Sequence, residues 1–208
     1  MKSIVASALN TVAIGESPVP VPGKGQVRIK TAYCGICTTD VVMLRGSSRL
    51  SYPFVLGHEW SGYVDAVGSG GKHTLVGKPC VAENVLSSGG EVGFEHPGGY
   101  SEFFLTDEQN IRLLPRDADM ASAILVEPLA VCIRGIHRLN PDISGPVLVL
   151  GDGPIGLLMT SVMRRHGCRD ITVVGGRPRR LGIAERLGAS SIVNYHECIA
   201  DELAQHIA

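Results

Sequence analysis

Four side chains in the first half of the sequence have the chemistry of a metal site. Cys34 and Cys37 form a C-x-x-C pair, and His58 and Glu59 follow in the segment G-H-E-W. A catalytic zinc takes three protein ligands from thiolate, imidazole and carboxylate groups and leaves one position open. A redox dithiol is the alternative for the C-x-x-C pair, but that motif begins a helix after a thioredoxin-like strand. The β-rich setting therefore favours a zinc site of Cys37, His58 and one carboxylate, with Cys34 as a packed thiol.

A glycine-rich segment in the second half has the pattern of a dinucleotide-binding loop. It reads G-D-G-P-I-G over residues 151–156 and stands between an apolar run and an amphipathic stretch. The first glycine permits a tight turn, the second lets the backbone approach a pyrophosphate, and the third allows close packing of helix on sheet. Without that flanking strand and helix the segment would be an ordinary turn. The residues expected at the cofactor are Gly151, Gly153, Pro154, Ile155 and Gly156.

The end of the following predicted strand lacks the acid that holds the ribose hydroxyls of NAD. Residues 175–180 read G-G-R-P-R-R. An acid would repel a 2′-phosphate, whereas Arg177 together with Arg179 or Arg180 can receive it. A solvated basic helix start is the alternative interpretation. We expect Gly175, Arg177 and Arg180 to border the adenosine pocket, and NADP to be favoured over NAD.

Hydrophobic patterning divides the chain into two parts that position these groups. Up to about residue 115, short alternating runs separated by Gly and Pro indicate an all-β barrel or sandwich. Apolar residues then recur at helical spacing, and strand-helix-strand units follow, as in a parallel sheet. We predict one domain over residues 1–120 and a second over residues 121–208. The predicted strands are residues 26–32, 61–68, 99–105, 147–150, 171–174 and 191–194, and the predicted helices are residues 129–139, 155–166 and 179–187.

Composition and charge narrow the class of protein and of partner. With 44% apolar and 19% charged residues in a chain of 208, the sequence falls in the globular range. A formal net charge of -1 gives no reason to expect nucleic acid or an anionic membrane, so small molecules are the default partners. The six cysteines are spread over a chain long enough to build its own core, so no disulfide framework is needed. A cytoplasmic protein is expected.

The N-terminal segment superficially resembles a short signal peptide. Ser3 and Ser7 interrupt its apolar run, which continues into a strand pattern punctuated by proline. A first β-strand is therefore the better interpretation. No apolar segment reaches the length that a membrane span requires.

Five segments, taken in order, resemble the zinc-containing medium-chain dehydrogenase/reductase family. They read C-G-I-C-T-T-D, G-H-E, G-G-Y-S-E-F, L-V-E-P-L-A and G-D-G-P-I-G. The Glu-Pro-Leu segment is most similar to the sorbitol, threonine and glucose dehydrogenase branches. This resemblance implies a chaperonin-10-like β-barrel catalytic domain, followed by a Rossmann doubly wound parallel sheet that is truncated here.

The resemblance also implies which side chains hold the zinc. Cys37 and His58 match two of the family's ligands, while Glu59 and Glu127 match two carboxylates that share or exchange the third position with water. A residue before proline is disfavoured in helical geometry, so Glu127 is expected to leave the line of the helix whose first turn contains Pro128. The alternative interpretation of Glu127 is a solvated acid favoured by the helix dipole.

Two more residues take roles from the same resemblance. Thr39 matches the hydroxyl that passes the substrate proton towards solvent, and Asp40 matches the carboxylate that orients the histidine ligand, as outer carboxylates do in metal sites. Plain turn residues are the alternative. The implied reaction is reversible hydride transfer between an alcohol, polyol or sugar-like substrate, or its carbonyl, and NAD(P).

Two departures from the family pattern change the expectations. The four-cysteine lobe that holds a structural zinc is expected between Gly77 and Gly98, where only Cys80 occurs, so we expect one zinc rather than two. Family members also continue with further Rossmann strands beyond the position of Ala208. We therefore expect the 208 residues to be a fragment without useful activity on their own, from a protein that is a homo-oligomer at full length.

Two other functions are alternatives to a zinc-dependent dehydrogenase. One is a zinc-free quinone reductase of the same superfamily, and the other is a non-catalytic relative that binds a nucleotide. Neither has a use for an open metal site. The set of Cys37, His58, Glu59 and Glu127 therefore argues against both.

Overall fold

The computed structural model describes residues 1–46, 49, 51–139 and 144–197. The chain divides into two units, Met1–Glu127 and Pro128–Ala208. The hydrophobic period predicts a division between residues 120 and 121, shortly before the helix Val126–Leu139 that crosses from one unit to the next.

The first unit is built mainly from β-strands. β1 (Lys2–Ala8) and β2 (Thr11–Glu16) form an antiparallel hairpin, which confirms the strand predicted at the N-terminus. The other strands are β3 (Gln26–Cys34), β4 (Trp60–Val67), β5 (Pro79–Ala82), β6 (Phe103–Asp107) and β7 (Ile111–Leu113). They form an antiparallel sheet in the order β6-β3-β4-β5-β7. Two short helices accompany it, α1 (Thr38–Leu44) and α2 (Met120–Ala123).

One face of this sheet forms the core of the unit. Val27, Ile29 and Val64 are buried there with Trp60 and Phe104. The rings of Trp60 and Phe104 meet edge to face with centroids 4.8 Å apart, a favoured geometry for aromatic pairs. Burial of such side chains contributes about 1.5–3 kcal/mol each. Packing on this face therefore holds β3, β4 and β6 together around one core.

The second unit contains strands and helices in alternation. After α3 (Val126–Leu139) come β8 (Val147–Leu150), α4 (Pro154–Arg165), β9 (Ile171–Gly175), α5 (Pro178–Arg186) and β10 (Ser191–Asn194). The three strands are parallel, in the order β10-β9-β8, as the sequence predicts for strand-helix-strand units. No helix in the described ranges has the length and apolar character that a membrane crossing requires.

Two local predictions are wrong. The strand predicted at residues 99–105 begins only at Phe103, because the Ser101 hydroxyl bonds the carbonyls of Gly98 at 2.6 Å and Phe103 at 2.9 Å and holds a turn there. Glu127 does not leave the helix line. Since α3 begins at Val126, Glu127 and Pro128 both lie in its first turn, where N–H groups have no helical partner to lose.

Candidate metal centre and nucleotide loop

The register of β3 and β4 brings two loops together. Cys34, the last residue of β3, pairs with Trp60, the first residue of β4. The Gly35 amide donates to the Glu59 carbonyl at 2.7 Å and joins the two loops directly. Segments 35–37 and 57–59 therefore lie side by side, which is what a metal site made from both of them needs.

Three of the predicted ligands form one cluster. The candidate ligand atoms of Cys37, His58 and Glu59 all lie within 4.8 Å of one another. The edge of a tetrahedral zinc site measures about 3.5 Å when bond lengths are 2.0–2.3 Å. Small side-chain movements therefore close the cluster around a zinc ion. Glu127 lies outside this cluster.

Asp40 faces the predicted histidine ligand, as the resemblance implies. Its Oδ1 lies 3.2 Å from His58 Nδ1, and both side chains are buried. The two atoms are at ion-pair distance without hydrogen-bond geometry, and neither has another partner among the described residues. The Asp40 Oδ2 atom accepts from the Cys37 amide at 2.9 Å and from the Tyr100 hydroxyl at 2.8 Å. With Nδ1 directed at Asp40, Nε2 is the ring nitrogen left for a metal.

The charges of the site influence one another through short distances. Burial opposes ionisation of Asp40, but contacts with the His58 ring, the Cys37 amide and the Tyr100 hydroxyl outweigh it and lower the pKa of Asp40. Burial also opposes the charged form of His58, but Asp40, followed by Glu127 and Glu59, raises its pKa. Three carboxylates thus create a negative field at the ring, which a divalent cation neutralises.

Glu127 takes part in this field although it is not in the cluster. Burial raises the pKa of Glu127, and nearby Glu59 and Asp40 raise it further, while His58 opposes them. Glu127 therefore lies close enough to Glu59 and Asp40 for their charges to influence it. The side chain is half-buried and lies in the first turn of α3, where the helix dipole also favours an acid.

The Cys37 thiol lies at the start of α1, beside Thr39. Burial raises the pKa of Cys37, an effect that a contact with Thr39 partly offsets. Its Sγ lies 3.5 Å from the Thr39 hydroxyl oxygen. Because metals bind the thiolate, a bound cation would be needed to keep this sulfur deprotonated at neutral pH. The thiol, the imidazole and the carboxylate together are a donor set that fits Zn²⁺.

Cys34 is packed within the protein, as predicted. Its sulfur lies where a Cβ on Gly57 or Gly99 would meet it, at 2.9 and 2.8 Å. Burial raises the pKa of Cys34 to about 12, so the thiol stays protonated. Cys34 also lies outside the cluster of candidate ligand atoms.

Sequence reasoning missed two aromatic residues of the site. Tyr100 donates to Asp40, and the G-G-Y-S-E-F segment was the only signal for it. Phe94 stacks on His58 with ring centroids 4.6 Å apart and an angle of 27° between the planes. Arg49 in turn lies over Phe94, 4.9 Å from the ring centroid. No local pattern connects Phe94 with His58, because their contact depends on the fold of the segment between β5 and β6.

The glycine loop has the geometry that its pattern predicts. Gly151 has a φ of 114°, which favours glycine. A Cβ on Gly156 would collide with the carbonyl oxygen of Gly151, so the start of α4 packs directly on the loop. Gly153 is the N-cap of α4, with Pro154 and Ile155 in the first turn, and a Cβ on Gly153 would meet no atom within 4 Å. Open space at a helix N-terminus suits a phosphate.

A carboxylate that sequence reasoning missed lies against the end of β9. Asp152, inside the glycine motif, is buried, and its Oδ2 accepts from the amides of Gly176 at 3.1 Å and Arg177 at 2.7 Å. Its Oδ1 lies 3.7 Å from Arg177 Nη1. Of the predicted cofactor arginines, Arg177 is exposed and Arg180 half-buried.

Comparisons with known proteins agree with this arrangement. Residues 23–116 match the family described as Alcohol dehydrogenase GroES-like domain. The chain is 31% identical to the starvation-sensing protein RspB of Escherichia coli K12 over 93% of its own length and 62% of that protein. It is 30% identical to sorbitol dehydrogenase of Halalkalibacterium halodurans over 100% of its length and 66% of that enzyme. The chain belongs to the zinc-containing medium-chain dehydrogenase/reductase family.

Solved structures place the fold in the same medium-chain family. Galactitol-1-phosphate dehydrogenase from Escherichia coli matches with a TM-score of 0.88 at 27% identity, over 99% of this chain and 64% of that one. The RspB structure from Escherichia coli CFT073, complexed with NADH, matches with a TM-score of 0.90 at 29% identity, over 100% of this chain and 66% of that one. The predicted fold class, a GroES-like β-domain followed by part of a Rossmann sheet, is confirmed. The chain spans 62–66% of the length of these relatives.

Proposed function

We propose that this chain is the zinc-carrying and nucleotide-binding part of an oxidoreductase. The enzyme transfers a hydride between an alcohol, polyol or sugar-like substrate, or its carbonyl, and NAD(P). The observation that carries the proposal is the cluster of Cys37, His58 and Glu59 beside the Asp40 carboxylate. The sorbitol and galactitol 1-phosphate dehydrogenases among its relatives support a polyol-like substrate.

Cys37, His58 and Glu59 would hold one zinc ion, and Glu127 is the carboxylate that could exchange with Glu59. When bound, zinc supplies a Lewis acid that lowers the pKa of a substrate hydroxyl and polarises the corresponding carbonyl. Asp40 fixes the His58 ring, since its Oδ1 faces Nδ1 at 3.2 Å. Thr39, half-buried beside Cys37, would relay the proton that the substrate hydroxyl loses: its oxygen receives that proton while its own hydroxyl proton leaves to water, so the threonine stays neutral.

The glycine loop between β8 and α4 would bind the cofactor through its pyrophosphate. Gly151, Gly153 and Gly156 permit the turn, the approach of the phosphates and the packing of the helix. Pro154 and Ile155 begin the helix behind the phosphates. Nicotinamide supplies the hydride acceptor when it is bound.

NADP is the favoured cofactor in this proposal. Position 175, at the end of β9, is a glycine and offers no carboxylate to the ribose. Arg177 and Arg180 lie at the start of α5. One charge-assisted contact with a 2′-phosphate contributes about 1.5–3 kcal/mol, which corresponds to roughly a tenfold to hundredfold preference. Exposure of Arg177 to water reduces this gain. The structure of the related RspB contains NADH. In this proposal, Arg177 and Arg180 give the present chain its preference for NADP.

Two parts of the proposal concern the whole protein. Five thiols are free, as a reducing cytoplasm would leave them, and Cys198 lies outside the described residues. The full-length enzyme is proposed to be cytoplasmic and a homo-oligomer with a small-molecule substrate, without nucleic acid or membrane as partner. A zinc-free quinone reductase or a non-catalytic relative would have no need of the metal cluster.

Metal analysis of the purified protein tests the metal centre. We expect one zinc per chain in the wild type, loss of zinc in Cys37→Ala, and retention in the matched variant Cys34→Ala, because the Cys34 sulfur lies outside the cluster of candidate ligand atoms. Two zinc ions per chain, or full zinc in Cys37→Ala, would contradict the proposal. Oxidation of polyols and secondary alcohols by the full-length protein, with NADP and with NAD, then tests the reaction.

A further inference from the structure

Asp152 is a buried carboxylate at a position where only backbone is needed to bind a pyrophosphate. It is 6% exposed and lies between the first two glycines of the loop. Rather than facing the open space beside Gly153, its Oδ2 is held by the amides of Gly176 and Arg177, at 3.1 and 2.7 Å. A carboxylate that accepts two amide hydrogens is held firmly in place.

Gly175 leaves room for this carboxylate. A Cβ at position 175 would lie 2.6 Å from Asp152 Cβ and 2.8 Å from its Cγ. Any side chain at position 175, including the acid that NAD-binding domains place at the end of this strand, would therefore require Asp152 to move. With glycine at position 175, Asp152 can occupy this space in its present position.

The hydrogen bonds of Asp152 hold the backbone at Arg177, where α5 begins. Arg177 is the N-cap of α5, and its amide donates the shorter of the two hydrogen bonds. Its guanidinium Nη1 lies 3.7 Å from the other oxygen of Asp152. Both the backbone amide and the guanidinium of Arg177 thus lie close to the buried Asp152 carboxylate. The Arg177 side chain as a whole stays 67% exposed and accessible to a ligand.

We propose that Asp152 is a positioning residue that holds the turn at the end of β9 and directs Arg177 to the 2′-phosphate of NADP. This inference rests on the proposed preference for NADP. The charge of Asp152 is balanced by two amides and one guanidinium, so it does not repel the phosphate as an acid offered to the ribose would. Preorganisation of the arginine reduces the entropy lost when the phosphate binds.

Binding of two small probes separates the phosphate from the rest of the cofactor. Calorimetry measures the Kd of 2′,5′-ADP and of 5′-ADP for the wild type, Asp152→Ala, Asp152→Asn, Arg177→Gln and the double variant Asp152→Ala/Arg177→Gln. Asp170→Asn is the matched control, because this exposed acid lies just before the other end of β9. Thermal unfolding checks that each variant folds.

We expect the wild type to prefer 2′,5′-ADP, and Arg177→Gln to lose that preference. Asp152→Ala should reduce the preference roughly fivefold to tenfold through weaker 2′,5′-ADP binding, with 5′-ADP almost unchanged. Asp152→Asn should lose less, since its amide oxygen still accepts from both backbone amides, and it replaces the Ala variant if that fails to fold. In the Arg177→Gln background, Asp152→Ala should have no further effect on the preference.

Three results would overturn the inference. Tighter 2′,5′-ADP binding in Asp152→Ala would mean that Asp152 acts as a ribose-side acid and selects NAD. An equal loss with and without Arg177 would mean that Asp152 does not act through the arginine. A wild type without any preference for 2′,5′-ADP would overturn the proposed NADP preference and this inference together, whereas the first two results leave a measured preference of the wild type intact.

Discussion

At the scale of single residues, the proposed metal centre includes a close approach between Gly35 and Glu59. A Cβ on Gly35 would lie 2.7 Å from Glu59 Oε2 and 3.3 Å from Glu59 Cβ. The carboxylate therefore lies directly against the backbone of the opposite loop. Because a Glu carboxylate is the far end of a flexible side chain, a methyl group at position 35 moves it without unfolding the sheet.

Gly35→Ala is expected to weaken zinc binding while the protein stays folded. The methyl group displaces the Glu59 carboxylate from the cluster, and loss of good geometry at one of three ligands costs zinc affinity. Competition with a chelator measures the zinc Kd. Gly145→Ala is the control, because no atom lies within 4 Å of its Cβ position and its φ is not positive. Unchanged zinc affinity in Gly35→Ala would show that Glu59 is not a ligand.

Tyr100→Phe should weaken zinc binding through Asp40 and His58. The hydroxyl donates to Asp40 Oδ2 at 2.8 Å, and the other oxygen of Asp40 faces His58 Nδ1. Loss of outer-shell partners of a metal ligand typically costs about tenfold to hundredfold in affinity, and this removal of one donor is expected near the lower end. Zinc competition compares it with Tyr63→Phe, a half-exposed tyrosine on β4. Equal zinc affinity in both variants would refute the role of Tyr100.

At the scale of elements, the strands and helices that position the site follow from sequence patterns. Alternation predicts β3 and β4, and apolar runs flanked by glycine predict β8 and β9, because burial on one or both faces dictates those patterns. These sequence patterns predict less directly which strands pair and in which register. The register of Cys34 with Trp60, which joins the two ligand loops, depends on packing of the whole sheet.

Contacts between segments distant in the sequence explain what the patterns missed. Asp152 stands in a motif read only for its glycines, and its role depends on amides that follow β9, 24 and 25 residues later. Phe94 stacks on His58 from another segment. The prediction that Glu127 leaves the helix is wrong because the conformational preference of a residue before proline is weaker than the cooperative formation of the first turn of α3. Residue types therefore predict which chemical groups a site can contain, but the fold determines which residues contact one another.

At the scale of the whole molecule, the two proposed ligand sites belong to different units. Cys37, His58, Glu59 and Glu127 all lie in Met1–Glu127, while the glycine loop and the turn after β9 lie in Pro128–Ala208. A ligand stabilises the state that binds it, by about 2.7 kcal/mol at a free concentration of 100 times its Kd. Each ligand is therefore expected to protect mainly its own unit.

Hydrogen exchange followed by mass spectrometry tests this division in the purified protein. Removal of zinc with a chelator should increase exchange in the loops at residues 35–40 and 57–60, because the cation no longer holds them together, with little change at residues 151–157 and 175–178. Addition of NADP should act on the other unit: it should slow exchange in the glycine loop and at the start of α5, with little change at residues 35–40 and 57–60. The Cys37→Ala variant controls for the chelator, since its exchange should not respond to it. If chelation changes both units equally, the metal centre is coupled to the nucleotide loop, and the sites are not the separate folding elements that the contacts within each unit indicate.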